Sequence, residues 1–236
     1  MAVIAIAGFA FNTTTAEATP LKVYILAGQS NMQGSAHKST FAAMGDDPKT
    51  APLLREILDK NGEPIVCHNA WITYKTQRSQ VDTVLKSKVK VGYGFDNERI
   101  GPEYAFGITI DKALKEPVLI IKTAWGGKSL AVDFRPPSSG AYLPSAKEKQ
   151  NAIGPKEEEV GHYYREMMSF VQATLKDTES IRKVVPSYDP EQGYEIGGFV
   201  WFQGWNDMCN RHHTEQYTNN MIHFIRDVRK ELDVPT

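Results

Sequence analysis

Short apolar segments alternate along this sequence with longer segments whose apolar residues recur at helical spacing. The apolar segments predict strands at residues 21–27, 65–74, 117–122 and 196–202. The amphipathic segments predict helices at residues 51–60, 101–115, 161–177 and 213–232. Short apolar runs bounded by Gly or Pro are typical of parallel strands that are buried on both faces. The alternation therefore predicts one α/β domain, with helices on both faces of a mainly parallel sheet.

Two other segments lack this alternation. Residues 81–97 mix polar and apolar positions and contain glycines that indicate turns. Residues 138–160 are rich in Ser, Pro, Gly, Lys and Glu, so a long surface loop is predicted there. Neither segment is assigned to the sheet.

The N-terminal segment has a pattern of its own. Residues 1–11 are almost wholly apolar, and an Ala-x-Ala sequence follows at residues 16–18. This order predicts a signal peptide over residues 1–18 and a single domain over residues 19–236, so we expect a secreted or periplasmic protein. No Lys or Arg precedes the apolar run, and the alternative is a buried N-terminal strand or helix.

Composition and charge argue against several classes of function. The chain has 236 residues, 41% of them hydrophobic and 23% charged, which suffices for a folded core. The net charge of −1 and the lack of a basic, aromatic-rich stripe argue against a nucleic-acid partner. No apolar run is long enough for a membrane span. Cys67 and Cys209 lack metal-ligand spacing, and the sequence is compatible with a disulfide between them or with two free thiols.

Three predicted strands end in polar, glycine-rich loops. Their sequences are GQSNMQG at residues 28–34, AWGGKS at 124–129 and QGWND at 203–207. Because the carboxyl ends of parallel strands meet at one edge of a sheet, we expect these loops to lie together where ligands bind. Ser30 falls near the start of a helix, where backbone N–H groups favour the negative charge of an oxyanion. Each loop taken singly also fits a plain turn or helix cap, so their convergence carries the prediction.

Four sequence blocks resemble those of the sialate O-acetylesterase branch of the SGNH hydrolases, which includes carbohydrate esterase family six and its acetylxylan esterases. The blocks are GQSNM at 28–32, GPE at 101–103, TAWGGKS at 123–129 and WFQGWND at 201–207, in the family's order. The resemblance covers about residues 21–235. It implies a three-layer α/β/α fold with a flavodoxin-like sheet. It also implies removal of acetyl groups from carbohydrate hydroxyls by a serine esterase that needs no metal and no organic cofactor.

The resemblance assigns roles to individual residues. Ser30 is the implied nucleophile. The implied oxyanion donors are a backbone N–H at Gly126 or Gly127 and a side-chain amide of the third loop, for which Asn206 and Gln203 rank close. The residues predicted to contact the acetylated carbohydrate are Gln29, Asn31, Glu103, Trp125, Gly126 and Trp205.

A serine nucleophile needs a general base, usually a His that is held by a carboxylate. The family places both in an Asp-x-x-His motif after one more strand, and this sequence has no such motif near its end. We therefore expect the sequence to be truncated at its C-terminus and to have little or no esterase activity by itself. The histidines present are His37, His68, His162, His212, His213 and His223. Of these, His212 and His213 follow the third loop and are the candidates to line the site.

Two alternative functions stay open. One is an esterase that acts on lipid or aryl acyl esters. The other is a non-catalytic carbohydrate-binding module, in which Ser30 hydrogen-bonds a sugar hydroxyl. Trp125 and Trp205 favour a sugar over a lipid ligand because aromatic faces stack on sugar rings.

Overall fold

The computed structural model describes residues 19–235, which contain a five-stranded sheet and a separate two-stranded pair. The strands are β1 (Leu21–Gly28), β2 (Ala36–His37), β3 (Ala70–Arg78), β4 (Val81–Lys88), β5 (Arg99–Ile100), β6 (Val118–Ala124) and β7 (Tyr194–Phe202). The helices are α1 (Ser30–Gln33), α2 (Thr40–Asp46), α3 (Ala51–Ile57), α4 (Pro102–Leu114), α5 (Ala146–Asn151), α6 (His162–Leu175), α7 (Thr178–Arg182), α8 (Trp205–Met208) and α9 (Arg211–Glu231). Short 3₁₀ helices lie at Pro137–Ser139 and Glu157–Glu159.

The strand order of the main sheet is β4-β3-β6-β1-β7. Strands β3, β6, β1 and β7 run parallel, and β4 pairs antiparallel with β3 at one edge. The predicted mainly parallel α/β fold is confirmed. Because β1 lies between β6 and β7, the loop that follows β1 has the loops of both neighbours beside it.

Alternating side chains on the central strands build a core on each face of the sheet. On β1, Leu26 belongs to the same cluster as Tyr104 of α4, whereas Ile25 belongs to the cluster of Val171 on α6. Phe224 of α9 packs on this second face as well. Successive side chains of a strand point to opposite faces, so these apolar strands need a helical layer on either side. The result is the predicted three-layer α/β/α arrangement.

Some segments differ from their sequence prediction. Residues 81–88, interpreted as turn-rich, form β4, whose many polar residues are tolerated because it is a largely exposed edge strand. The second predicted strand begins at Ala70 rather than at residue 65, since the N–H groups of residues 68 and 69 donate to Asp111 of α4. The predicted loop at 138–160 contains α5, which a capping box between Ser145 and Glu148 stabilises.

Three further sequence predictions concern the N-terminal segment, the cysteines and membrane spans. The predicted signal peptide at residues 1–18 lies outside the described residues. Both cysteines are free thiols, Cys67 buried and Cys209 exposed, so they do not pair. Among the helices of residues 19–235, none combines the length and apolarity needed to cross a membrane.

Strand β7 confirms the fourth predicted strand but lies at an edge of the sheet. Among the described residues it pairs with β1 alone. Val200 is 37% exposed and Phe202 is 47% exposed. An exposed edge strand with apolar side chains is a template for pairing with another chain.

We therefore expect Val200→Lys to reduce concentration-dependent association of the 236-residue chain, measured by light scattering. A charge on an edge strand opposes strand pairing between molecules. Leu53→Lys is the matched control, because Leu53 is an exposed apolar residue of α3, away from the sheet. Equal effects of the two substitutions would contradict edge pairing as the cause of association.

Candidate active site

The three glycine-rich loops leave the sheet at the same level. Gly28, the last residue of β1, is the register partner of Ala124 on β6 and of Phe202 on β7. The N–H of Gln29 donates to the carbonyl of Phe202 at 3.2 Å, and the N–H of Trp125 donates to that of Gly28 at 3.3 Å. The predicted convergence of the three loops is confirmed.

Two glycines allow the turn that presents Ser30. A Cβ at Gly28 would lie 2.2 Å from the carbonyl oxygen of Phe202, so a side chain there would force β1 and β7 apart. Gly34 ends α1 with a φ of +90°, and its Cβ would lie 2.1 Å from Cα of Gly101. Ser30 is the first residue of α1 and is half-buried, whereas Asn31 beside it is exposed.

A buried ion pair lies beneath α1. Lys122 of β6 and Glu103 of α4 both have fully buried side chains, and Lys122 donates to the Glu103 carboxylate. Lys122 Nζ also donates to the carbonyls of Gln33 at 3.0 Å and Tyr93 at 2.7 Å. Burial lowers the pKa of Lys122, and the Glu103 carboxylate opposes that shift. Glu103, predicted to contact substrate, instead accepts hydrogen bonds from Lys122 and from the N–H of Gly101.

Gln29 is also buried, with 1% of its surface exposed. Its Oε1 accepts hydrogen bonds from Gln203 Nε2 at 3.1 Å and from the backbone N–H groups of Gly204 at 3.3 Å and Asn206 at 3.1 Å. Its Nε2 lies 3.4 Å from Ser30 Oγ and donates to it. The Gln29 side chain, predicted to contact substrate, therefore joins the loop of Ser30 to the third loop.

The two candidate oxyanion amides have different surroundings. Gln203 Nε2 lies within hydrogen-bonding distance of Gln29 Oε1, of the carbonyl of Lys128 at 2.9 Å and of Asp207, so both of its hydrogens have an acceptor. Gln203 Oε1 accepts a hydrogen bond from the Tyr217 hydroxyl at 3.1 Å. The side-chain amide of Asn206 makes no hydrogen bond within residues 19–235. The amide of Asn206 is thus available to a ligand, whereas that of Gln203 is engaged.

Asp207 holds the second loop and was not singled out by sequence reasoning. Its carboxylate is 1% exposed and accepts hydrogen bonds from the backbone N–H groups of Leu130 at 2.8 Å and Ala131 at 2.9 Å. Gly127, in the loop so held, is exposed with a φ of +70°. Within residues 19–235, the backbone N–H of Gly127 has no acceptor. The only sequence signal for Asp207 was its place after Asn206 in a recognised block.

The two tryptophans predicted to face a sugar differ in their exposure to solvent. Trp125 is 3% exposed and packs against Tyr163 and Phe134, with ring centroids 5.0 and 6.0 Å away. It belongs to the core and offers no face to a ligand. Trp205, at the start of α8, is 62% exposed and keeps a free aromatic face. Gly126 is exposed and lies beside Gly127.

No histidine side chain of the described residues hydrogen-bonds Ser30. His213 Nε2 lies 3.1 Å from the hydroxyl of Tyr142, which donates to Glu148, and burial lowers the pKa of His213. His212 Nε2 lies 2.8 Å from the carbonyl of Leu143. Both histidines therefore contact the 138–160 segment. In residues 19–235, no cluster of His, Cys, Asp and Glu is arranged to hold a metal ion.

Comparison with known proteins identifies the family of this chain. The family profile described as carbohydrate esterase, sialic acid-specific acetylesterase matches residues 20–236. The match spans nearly the whole chain, so the protein belongs to this family of SGNH-like carbohydrate esterases.

Individual relatives are more distant. A probable carbohydrate esterase of Arabidopsis thaliana is 35% identical over 81 residues, which are 34% of this chain and 26% of that protein. The match thus spans about a quarter of the relative's length. A crystal structure of an Arabidopsis thaliana protein has 19% identity and a TM-score of 0.46, over 92% of this chain and 71% of that one. A crystal structure of a carbohydrate acetylesterase from Xanthomonas citri has 13% identity and a TM-score of 0.47, over 90% of this chain and 39% of that one.

Proposed function

We propose that this protein is a serine esterase that removes O-acetyl groups from carbohydrates through an acyl-enzyme on Ser30. The observation that carries the proposal is that the strands flanking β1, whose loop holds Ser30, each lead into a loop with an unengaged donor. These donors are the Asn206 amide and the Gly127 N–H, which arrive on the loops after β7 and β6. Membership in a carbohydrate esterase family supports an ester substrate and a carbohydrate as the group that carries the ester.

In the proposed reaction, Ser30 Oγ attacks the carbonyl carbon of the acetyl group while a general base accepts its proton. The carbonyl oxygen becomes an oxyanion, which receives hydrogen bonds from Gly127 N–H and Asn206 Nδ2. Collapse of this intermediate expels the sugar oxygen, which takes up the proton, and leaves an acetyl group on Ser30. Water then attacks that acetyl group by the same steps and releases acetate.

The leaving sugar would pack against Trp205. Its exposed side chain belongs to the first residue of α8, directly before Asn206 in the sequence. Aromatic side chains with one free face are suited to the apolar face of a sugar ring. A sialate or a xylan ester would both offer such a face.

The expectation that an Asp-x-x-His pair supplies the base remains a prediction. Acetate release from an acetylated sugar tests it, measured on the 236-residue chain and on its Ser30→Ala variant. Little or no release by either chain is expected. Robust release that depends on Ser30 would overturn the prediction and make His212 and His213 the first candidates for the base.

A fluorophosphonate probe tests the nucleophile itself, in the protein with its general base present. We expect one label on Ser30 by peptide mass spectrometry, and complete loss of that label in Ser30→Ala, because only an activated hydroxyl reacts. Ser35→Ala is the matched control, since Ser35 is exposed and lies just past α1. Absence of labelling together with retained binding of an acetylated sugar would instead support the carbohydrate-binding module.

A further inference from the structure

The orientation of the Gln29 side-chain amide is settled by its surroundings. Two of the three groups that face Oε1 are the backbone N–H groups of Gly204 and Asn206, which can only donate. The carbonyl end of the amide must therefore point toward the third loop. The NH₂ end is left on the side of Ser30, where it donates to Oγ.

A buried amide at this position does more than join two loops. A carboxylate would accept the same three hydrogen bonds, but it would have no hydrogen to offer to Ser30 Oγ. The donation at 3.4 Å is long in the resting protein. It would shorten and strengthen as Oγ loses its proton, because hydrogen bonds to charged acceptors are shorter and stronger. Gln29 would thus favour the deprotonated nucleophile.

The same side chain also sets the oxyanion donor. The N–H of Asn206 is bound to Gln29 Oε1, and the adjacent Gly204 begins the turn into α8. Any shift of Gln29 would therefore move Ser30 Oγ and Asn206 together. Catalytic groups that must meet one reacting carbon within a fraction of an ångström benefit from such a shared support.

We propose that Gln29 is a positioning residue that holds Ser30 Oγ and the Asn206 amide in one rigid unit and donates to Oγ as it is deprotonated. This inference rests on the proposed esterase function. It assigns no contact with substrate to Gln29, in agreement with the burial of its side chain.

The test is Gln29→Glu, measured on the active esterase. The substitution keeps the shape and the acceptor of the side chain but removes its donor when the carboxyl group is ionised. We expect kcat to fall by about 10- to 100-fold at neutral pH, the effect of one hydrogen bond to a charged group, while KM stays nearly constant. Because a protonated carboxyl can donate again, the ratio of variant to wild-type kcat should rise as the pH is lowered. A ratio near one at every pH would overturn the proposal.

A second measurement does not depend on the folding of that variant. The side-chain NH₂ resonances of Gln29, observed by ¹⁵N NMR, should shift in Ser30→Ala and stay in place in Ser35→Ala. No shift in Ser30→Ala would show that Gln29 does not donate to Oγ. Fluorophosphonate labelling of the wild type distinguishes failure of the esterase proposal from failure of the Gln29 proposal. Absence of labelling rejects the esterase. Labelling together with an unchanged kcat in Gln29→Glu rejects only the role of Gln29.

Discussion

Replacing Lys122 by Ala is expected to lower the free energy of unfolding by about 3–5 kcal/mol, the cost of leaving a buried charge without its partner. The fully buried Glu103 carboxylate would lose its cationic partner. The carbonyls of Gln33 and Tyr93 would each lose a hydrogen bond as well. Since domains of this kind are stable by only about 5–15 kcal/mol, this is a large share of the total. Urea unfolding followed by circular dichroism measures the change.

Two further variants make this prediction specific. Lys112→Ala breaks an ion pair with Glu56 on the surface, where both side chains are about half exposed or more, and should cost less than about 1 kcal/mol. Combining Lys122→Met with Glu103→Gln removes both buried charges and keeps an acceptor for the N–H of Gly101, so it should recover most of the lost stability. A cost for Lys122→Ala no larger than that for Lys112→Ala would contradict the prediction.

Replacing Asn206 by Ala is expected to lower kcat/KM of the active esterase for acetylated sugars by about 10²–10³-fold, the usual effect of losing one oxyanion donor. Stability should hardly change. The Asn206 side chain makes no hydrogen bond within residues 19–235, and its backbone N–H still reaches Gln29 after the substitution. Steady-state kinetics and a thermal melt on the same preparation measure both quantities.

Gln203→Ala is the informative comparison. The Gln203 amide contacts Gln29, the carbonyl of Lys128 and Asp207. Its removal should therefore lower the free energy of unfolding as well as kcat/KM. The pair of variants thus separates a donor that faces the ligand from one that holds the loops. An unchanged kcat/KM in Asn206→Ala would remove Asn206 from the proposed oxyanion site.

Much of the fold could be predicted from local patterns. The predicted strands at 21–27 and 117–122 agree with β1 and β6 because continuous apolar runs demand burial on both faces. Strand β4 was missed because an edge strand needs no regular apolar pattern. Helix α5 was missed because it is short, polar and held mainly by its own cap.

The candidate site was predictable in its location and less so in its roles. Gln29, Glu103 and Trp125 were all predicted to contact substrate, and all three are buried. Polar and aromatic residues near a strand end look alike in sequence whether they face a ligand or the interior. Burial and pairing decide between these cases, and both depend on partners far along the chain.

The sequence by itself determined where the parallel strands end and which loops carry Ser30, Gly127 and Asn206, because hydrophobic periodicity and glycine-rich turns are local properties. The tertiary structure decided which polar groups remain free. Lys122 reaches the carbonyl of Gln33 across 89 residues of sequence, and Asp207 reaches the N–H of Leu130 across 77. Such contacts exist only once the strands are paired, and they leave the amide of Asn206 available while they engage that of Gln203.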